Sequence, residues 1–229
     1  CIGCNICVMS DNSENPLRCT QNPTMAEEWR RGWHPEMIHT LKTPEQVLVI
    51  GGGPAGLEAA SALSKRGADV TLAEAGKSWG GRVTLEAALP GLASWGRVRD
   101  SRVWQLQQMP NAELYLQSLL SAQDILDYGL SHVALATGAT WRRDGMGRAN
   151  RLPLPFLDQT RVVTPDDLMN SGADASLADG PVVIFDDDRF YMGSVLAEKL
   201  VQAGKDVIFV TPSPIVAPWS EKTLEQERI

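Results

Sequence analysis

The chain has no cysteine after residue 19, no long hydrophobic run and no cluster of basic residues. The cysteine distribution excludes a disulfide framework through the body of the protein. No apolar run approaches the roughly 18–20 residues of a membrane span, so we expect no membrane association. Acidic residues outnumber basic ones, 28 to 21, so nucleic acid is not an expected partner. With 43% hydrophobic residues among 229, the composition is that of a soluble globular protein, which we expect to be cytoplasmic.

The cysteines form a compact pattern at the start of the chain, C-x2-C-x2-C-x11-C: Cys1, Cys4, Cys7 and Cys19. Three thiols three residues apart, with Gly3 between the first two, suit a tight loop around a metal centre. An iron–sulfur cubane needs four converging thiolates, whereas structural zinc usually takes two well-separated C-x2-C pairs. Disulfides would need an oxidising compartment and better-spaced partners. The pattern favours a [4Fe-4S] cluster over zinc.

A glycine-rich loop follows the first predicted strand. The apolar run Val47–Ile50 is typical of a strand buried on both faces, and it leads into a G-x-G-x-x-G motif before a helical stretch. In this motif Gly51 permits the tight turn, Gly53 lets the backbone approach a pyrophosphate, and Gly56 lets the helix pack close to the strand. The helix N-terminus favours phosphate. The predicted contacts of an ADP-containing ligand are Gly51, Gly52, Gly53, Pro54, Ala55 and Gly56.

A carboxylate stands at the end of the second predicted strand, Val70–Glu74. Glu74 lies 18 residues after Gly56. In that position a carboxylate can accept hydrogen bonds from both ribose hydroxyls and would repel a 2′-phosphate. Glu74 therefore supports an ADP or FAD ligand, two cofactors that share these contacts.

Two further turns are candidates for the same site. The sequence Gly80-Gly81-Arg82 forms a second glycine turn, which either brings Arg82 towards the nucleotide or leaves it as a solvated surface residue. A later strand, His132–Gly138, is predicted to end at Thr137 and Gly138. A terminal glycine lets the backbone come close to a ligand at the carboxyl edge of the sheet.

The first strand–helix–strand unit has a second, degenerate copy. A shift of 137 residues places Leu63 on Leu200 and Gly67 on Gly204, and Val182–Phe185 is again a predicted buried strand. With the same shift, the loop and carboxylate positions Gly51, Gly53, Gly56 and Glu74 correspond to Asp188, Phe190, Gly193 and Thr211.

The acidic run Asp186–Asp188 stands where a pyrophosphate would lie in this copy. Like charges there disfavour phosphate, and Phe190 blocks its approach. We therefore expect the second fold to have lost its nucleotide. A magnesium site is the alternative, but consecutive residues at a strand end rarely all face one point.

The predicted fold class is α/β, with tandem Rossmann-like folds of the glutathione-reductase type preceded by a cysteine-rich iron–sulfur segment. We assign residues 1–43 to the cluster segment and connector, and residues 44–150 to the first nucleotide-binding fold. Residues 151–178 form a connection, and residues 179–229 open the second fold. The last residues, Thr223–Ile229, read as the start of a helix.

Taken together, these motifs resemble the iron–sulfur flavoprotein amine dehydrogenases, the trimethylamine, dimethylamine and histamine dehydrogenases. This family is related to old yellow enzyme and 2,4-dienoyl-CoA reductase. Besides the glycine loop, the resemblance rests on Cys1–Cys7, Cys19–Thr24, Glu27–Pro35, Ala88–Leu92, Ala136–Trp141 and Asp186–Met192.

The resemblance implies a fragment that lacks an N-terminal TIM barrel carrying FMN and the amine site, and that stops inside the second fold. In the family, the amine is oxidised at FMN and hydrolysed. Single electrons then pass through the cluster to an acceptor such as electron-transferring flavoprotein. The first fold holds ADP as a relic of FAD, and the whole protein is expected to be a homodimer.

This resemblance leaves the fragment without catalytic residues of its own, and we expect it to be inactive alone. Two alternatives remain open. One is part of an NADPH-dependent enoate reductase with FAD in the first fold, against which the Asp186–Asp188 run argues. The other is a stand-alone electron-carrier or nucleotide-binding module.

Overall fold

The computed structural model describes residues 1–26, 38–155, 158, 161–170 and 177–229. The motif Glu27–Pro35 of the resemblance lies outside these residues, as does part of the connection 151–178. The chain divides into two compact units. The first comprises Cys1–Gly3, Gln21–Ala87 and Ser94–Ala139, and the second comprises Cys4–Thr20, Ala88–Ala93 and Thr140–Ile229.

The described elements alternate between strands and helices. In chain order they are α1 (Ile6–Asn12), β1 (Gln46–Ile50), α2 (Pro54–Lys65), β2 (Asp69–Ala73), α3 (Arg82–Glu86), α4 (Arg97–Gln107), β3 (Ala112–Tyr115), α5 (Ala122–Asp127), β4 (His132–Leu135), α6 (Pro165–Met169), β5 (Val182–Phe185), α7 (Met192–Gln202) and β6 (Val207–Val210). Short 3-10 helices are Ala93–Gly96, Pro218–Glu221 and Gln226–Arg228. No helix among the described residues is long and apolar enough to cross a bilayer.

The first unit is built on a parallel four-stranded sheet in the order β3-β2-β1-β4. Strand β1 lies inside the sheet, with Val47 opposite both Val70 of β2 and His132 of β4. Its apolar residues are buried on both faces, as a continuous hydrophobic run predicts. Helix α2 covers the sheet with the fully buried Leu57 and Ala60. All the strands therefore end at one carboxyl edge, where the glycine loop lies.

Among its described residues, the second unit contains one strand–helix–strand motif, in which β5 and β6 pair in parallel with Val182 opposite Val207. Helix α7 buries Met192, Leu196 and Leu200. The unit also holds α1 near the end of the chain, because the side-chain amide of Asn12 donates a 3.0 Å hydrogen bond to the Lys222 carbonyl.

The α/β architecture with a parallel sheet is confirmed, and Val182–Phe185 is a strand as predicted. The helix predicted at Thr223–Ile229 is wrong, since only a 3-10 turn forms at Gln226–Arg228. An α-helix does not form here because Leu224 has a φ of +60°, in the left-handed region, which cannot continue an α-helix. The strand predicted over His132–Gly138 also ends early, at Leu135, and the chain turns three residues later at Gly138, where φ is +81°.

Candidate functional site

The glycine loop brings β1, α2 and the sheet edge into direct backbone contact. Gly51 has a φ of +105°, and a Cβ there would lie 2.2 Å from the Ala136 carbonyl oxygen. A Cβ on Gly56 would lie 1.8 Å from the Gly51 carbonyl oxygen. Gly53 differs, because nothing lies within 4 Å of its Cβ position. Packing therefore requires Gly51 and Gly56, whereas Gly53 faces open space.

That open space lies at the start of α2, which follows Gly53 and has Pro54 at its first turn. The first N–H groups of a helix have no acceptor within the helix, and together with the helix dipole they favour an anion. The loop therefore offers room, N–H donors and a positive potential at one point, which is what a pyrophosphate needs.

The carboxylate of Glu74 is held beside the loop by two backbone donors. Its Oε2 accepts the N–H of Gly52 at 2.6 Å, and its Oε1 accepts the N–H of Gly76 at 2.6 Å. A carboxylate has about four lone-pair directions. Two of them are left for outside donors, so the position suits recognition of ribose hydroxyls.

The segment after Glu74 covers the loop in a way that the sequence does not reveal. The N–H of Gly80 donates to the Gly52 carbonyl at 2.8 Å. The Trp79 ring packs so closely that a Cβ on Gly52 would lie 2.5 Å from its Cε3 atom. The only sequence signal for this contact is the position of Trp79 immediately before a double glycine. Trp79 is therefore a site residue that pattern reasoning misses.

The other two predicted turns meet at the same edge. Gly81, at a φ of +52°, approaches Gly53 so closely that its Cβ would lie 3.3 Å from the Gly53 Cα. Arg82 is half-buried, and its guanidinium donates to the Ala139 carbonyl just after Thr137 and Gly138. The structure thus brings the predicted loop, Glu74 and both turns together within the first unit, and Arg82 is not a freely solvated surface residue.

All four cysteines are free thiols, of which Cys1 is exposed and the others are partly buried. The sulfurs of Cys1 and Cys4 have polar neighbours. The Cys1 Sγ accepts the N–H of Gly3 at 3.4 Å, and the Cys4 Sγ lies 3.1 Å from the Thr20 hydroxyl. Hydrogen bonds to sulfur tune the clusters that thiolates hold, so four thiols with polar neighbours of this kind fit an iron–sulfur centre by their chemistry.

The backbone of this segment is only partly the tight loop that the spacing predicts. The chain turns through Gly3 (φ +71°) and Asn5 (φ +51°), and then enters α1, so that Cys7 lies in a helix. Throughout the described residues, no three or more His, Cys, Asp or Glu side chains are grouped so that they could hold a metal ion. Convergence of the four thiols thus remains a prediction.

The loop after β5 is longer than its counterpart after β1. The Gly51 N–H donates to the carbonyl of Ala73, the last residue of β2, at 2.8 Å. The Asp186 N–H makes the same 2.8 Å bond to Val210, the last residue of β6. Asp186 therefore takes the place of Gly51, and the predicted equivalence of Gly51 with Asp188 is wrong.

The helix-packing glycines confirm this correction. Gly193 packs on Asp186, since its Cβ would lie 3.0 Å from the Asp186 Cβ, just as Gly56 packs on Gly51. Gly193 is the seventh residue after Asp186, whereas Gly56 is the fifth after Gly51. The second loop thus carries two extra residues, which a constant shift cannot accommodate. The two extra residues lie between Asp186 and Gly193, and the equivalence of Phe190 with Gly53 stays a prediction.

The Asp186 carboxylate turns inward and binds its own loop. The residue is 4% exposed, and its Oδ1 accepts the N–H groups of Asp188 and Arg189 at 3.2 Å each. Its Oδ2 is buried with no hydrogen-bond partner. Burial raises the pKa of Asp186 above its usual value. An internal carboxyl group therefore occupies two of the backbone donors of this loop.

The neighbouring Asp187 points elsewhere, because its Oδ2 accepts the Ala149 N–H at 2.7 Å. The acidic run therefore does not converge on one point. Since no metal-holding group exists among the described residues, the geometry gives no support to the magnesium alternative.

Comparison with known proteins agrees with the geometry of the first unit. The model of the FAD binding domain family matches residues 46–152, which include the glycine loop, Glu74 and both turns. Dimethylamine dehydrogenase from Hyphomicrobium sp. (strain x) is 40% identical over 233 residues, covering 98% of this chain and 31% of that protein.

Solved structures extend the similarity over the whole chain. Histamine dehydrogenase from Rhizobium sp. 4-9 superposes with a TM-score of 0.91 at 50% identity, covering 100% of this chain and 35% of that one. The 6-hydroxypseudooxynicotine amine oxidase from Pseudomonas geniculata N1 gives a TM-score of 0.93 at 46% identity, covering 100% and 34%. The chain spans about a third of the length of the relatives it matches. On this evidence the chain belongs to the amine dehydrogenase family and corresponds to a fragment of its full-length members.

Proposed function

We propose that the first unit binds the ADP moiety of a nucleotide, as ADP itself or as part of FAD, at the carboxyl edge of its sheet. The observation that carries this proposal is the open space at Gly53, bordered by the N-terminus of α2 and by the anchored Glu74 carboxylate. The pyrophosphate would lie against the loop N–H groups, and the ribose hydroxyls would donate to Glu74. The match to the FAD binding domain family supports the same ligand class.

The full-length protein, we propose, is an oxidoreductase that oxidises a small amine at FMN bound in a barrel domain outside this chain. Oxidation of the C–N bond gives an imine, and hydrolysis of the imine completes a deamination or demethylation. Support comes from the similarity to dimethylamine dehydrogenase and histamine dehydrogenase. This chain would then contribute nucleotide binding and electron transfer rather than the amine site.

Electron transfer is the role we assign to the cysteine segment. Cys1, Cys4, Cys7 and Cys19 would ligate a [4Fe-4S] cluster, and such a cluster supplies one-electron transfer when it is bound. The proposal rests on four free thiols in this spacing and on the polar hydrogens beside Cys1 and Cys4. An external one-electron acceptor such as electron-transferring flavoprotein would receive the electrons, and the full-length protein would be a homodimer.

One measurement tests the proposals together. The full-length protein is denatured, the released nucleotides are identified by mass, and iron and sulfide are counted. We expect ADP together with about four iron and four sulfide per chain, the content of one cubane. Released FAD with flavin bleaching by NADPH would favour an enoate reductase instead. Absence of both adenine nucleotides would refute the assignment of the first unit.

A further inference from the structure

A buried arginine, Arg102, connects Gln21, which lies just after the last cysteine, to helix α2, which follows the glycine loop. Arg102 of α4 is only 8% exposed. Its Nε donates to the Glu58 carboxylate at 2.6 Å, and its Nη1 donates to the Gln21 side-chain oxygen at 2.8 Å and to the Val98 carbonyl at 3.1 Å. One guanidinium thus connects three segments that are distant in sequence.

Both ends of this network lie next to a proposed site. Glu58 is on α2, five residues after Gly53 and one turn into the helix whose N-terminus faces the pyrophosphate position. Gln21 follows Cys19 by two residues. The network is therefore a direct polar link, within the first unit, between the nucleotide helix and the exit of the cysteine segment.

The same helix also contacts the entry of the cysteine segment. Arg97 of α4 donates a 3.3 Å hydrogen bond to the Cys1 carbonyl. Residues Cys1–Gly3 and Gln21 belong to the first unit together with α2 and α4. Helix α4 therefore contacts Cys1 through Arg97 at its start and Gln21, two residues after the last cysteine, through Arg102 further along.

The interactions of Arg102 are strong enough to matter for either site. Hydrogen bonds to charged groups are worth more than neutral ones, and a buried guanidinium that loses a partner leaves an uncompensated charge. A ligand that orders one end of such a network lowers the entropic cost of ordering the other end. By linkage, each ligand then strengthens the binding of the other by the same factor.

We propose that Arg102 is a positioning residue that couples the two sites, so that a nucleotide on the glycine loop and a metal centre on the cysteines stabilise each other through Glu58, Arg102 and Gln21. This inference rests on the proposed function, because it needs both ligands to be present. It adds an energetic connection that neither site alone implies.

The test measures release of iron from the full-length holoprotein to a strong iron chelator, with ADP present and after ADP has been removed. Gln21→Ala is the most specific variant, because it removes the hydrogen bond between Arg102 and Gln21 and leaves the Arg102–Glu58 ion pair intact. Arg102→Gln and Arg102→Lys probe the guanidinium itself. Arg142→Gln is the matched control, because Arg142 pairs with Asp144 at the surface.

In the wild type and in Arg142→Gln, we expect ADP to slow iron release about tenfold, within the usual range of coupling between sites. In Gln21→Ala and Arg102→Gln, we expect ADP to change the rate less than about twofold. Arg102→Lys keeps the positive charge but lacks the planar guanidinium, so the effect of ADP on its iron release should lie between these two values. If Arg102→Gln does not fold, Gln21→Ala decides the question.

A Gln21→Ala protein whose iron release responds to ADP as strongly as the wild type would overturn the coupling. A wild type that contains iron and nucleotide but shows no effect of ADP would overturn it as well. Failure of the proposed function looks different, because then the purified wild type contains no iron or no adenine nucleotide before any variant is made.

Discussion

Replacing Gly53 or Gly56 by alanine separates the space that a ligand needs from the space that the fold needs. A Cβ on Gly56 would lie 1.8 Å from the Gly51 carbonyl oxygen, whereas real Cβ contacts are essentially never shorter than 3.0 Å. Helix α2 would have to move by at least about 1.2 Å, and it carries the buried core residues Leu57 and Ala60. Overpacking of this kind costs typically about 1–3 kcal/mol, and contact with backbone rather than a movable side chain favours the upper end.

Gly53→Ala makes no such collision. Nothing lies within 4 Å of the new Cβ, and the backbone at φ −74° and ψ −177° is allowed for any residue. At this helix N-cap position alanine is somewhat less favourable than glycine, but it also lowers the entropy of the unfolded chain, and the two effects oppose each other within about 1 kcal/mol. The methyl group instead projects into the space assigned to the pyrophosphate.

The assay compares urea unfolding of the nucleotide-free full-length proteins with calorimetric titration of ADP. We expect Gly56→Ala to lose about 3 kcal/mol of stability and Gly53→Ala to unfold like the wild type. We expect Gly53→Ala to bind ADP at least about tenfold more weakly, because the methyl separates the phosphate from the loop donors. Wild-type affinity in Gly53→Ala would refute the placement of the phosphate, and wild-type stability in Gly56→Ala would refute the packing argument.

Three further substitutions test the remaining site residues. Glu74→Gln should weaken ADP binding about tenfold in the same titration, since bonds to a charged acceptor are lost, while the exposed Glu113→Gln should leave it unchanged. Cys7→Ser should lower iron from about four per chain to near zero, and an undiminished iron content would exclude Cys7 as a ligand. Burial raises the pKa of Asp186, so the wild type loses stability as pH rises through that pKa, and Asp186→Asn does not. The melting temperature of Asp186→Asn relative to the wild type should therefore rise between about pH 4 and pH 7, and a constant difference would contradict the buried carboxyl.

Local patterns predict the first strand–helix–strand unit well, because each part of it is encoded within a few residues. The apolar run Val47–Ile50 predicts a strand buried on both faces, and Gly51 and Gly56 after it are fixed by collisions with backbone that any side chain would make. The position of Glu74 beside the glycine loop is predictable in the same way, since the end of β2 lies next to that loop in any sheet of this topology.

Contacts between segments distant in sequence could not be predicted in this way. Gln21 and Arg102 are 81 residues apart, and no periodicity links them. The packing of Trp79 on Gly52 depends on how the chain returns after β2. Likewise, the constant shift of 137 residues aligned the two helices but misplaced the second loop, because only the pairing of β5 with β6 shows that two residues are inserted.

The two loops show how one architecture supports binding in one unit and argues against it in the other. After β1, Gly51 has no side chain, and the space beside Gly53 at the helix N-terminus is open. After β5, Asp186 takes the place of Gly51, and its carboxyl group accepts two N–H groups of its own loop. Replacing Asp186 by glycine would free these donors but would not recreate the first loop, since the two extra residues hold them in a different path. A phosphate site in the second unit would therefore need a deletion as well as a substitution.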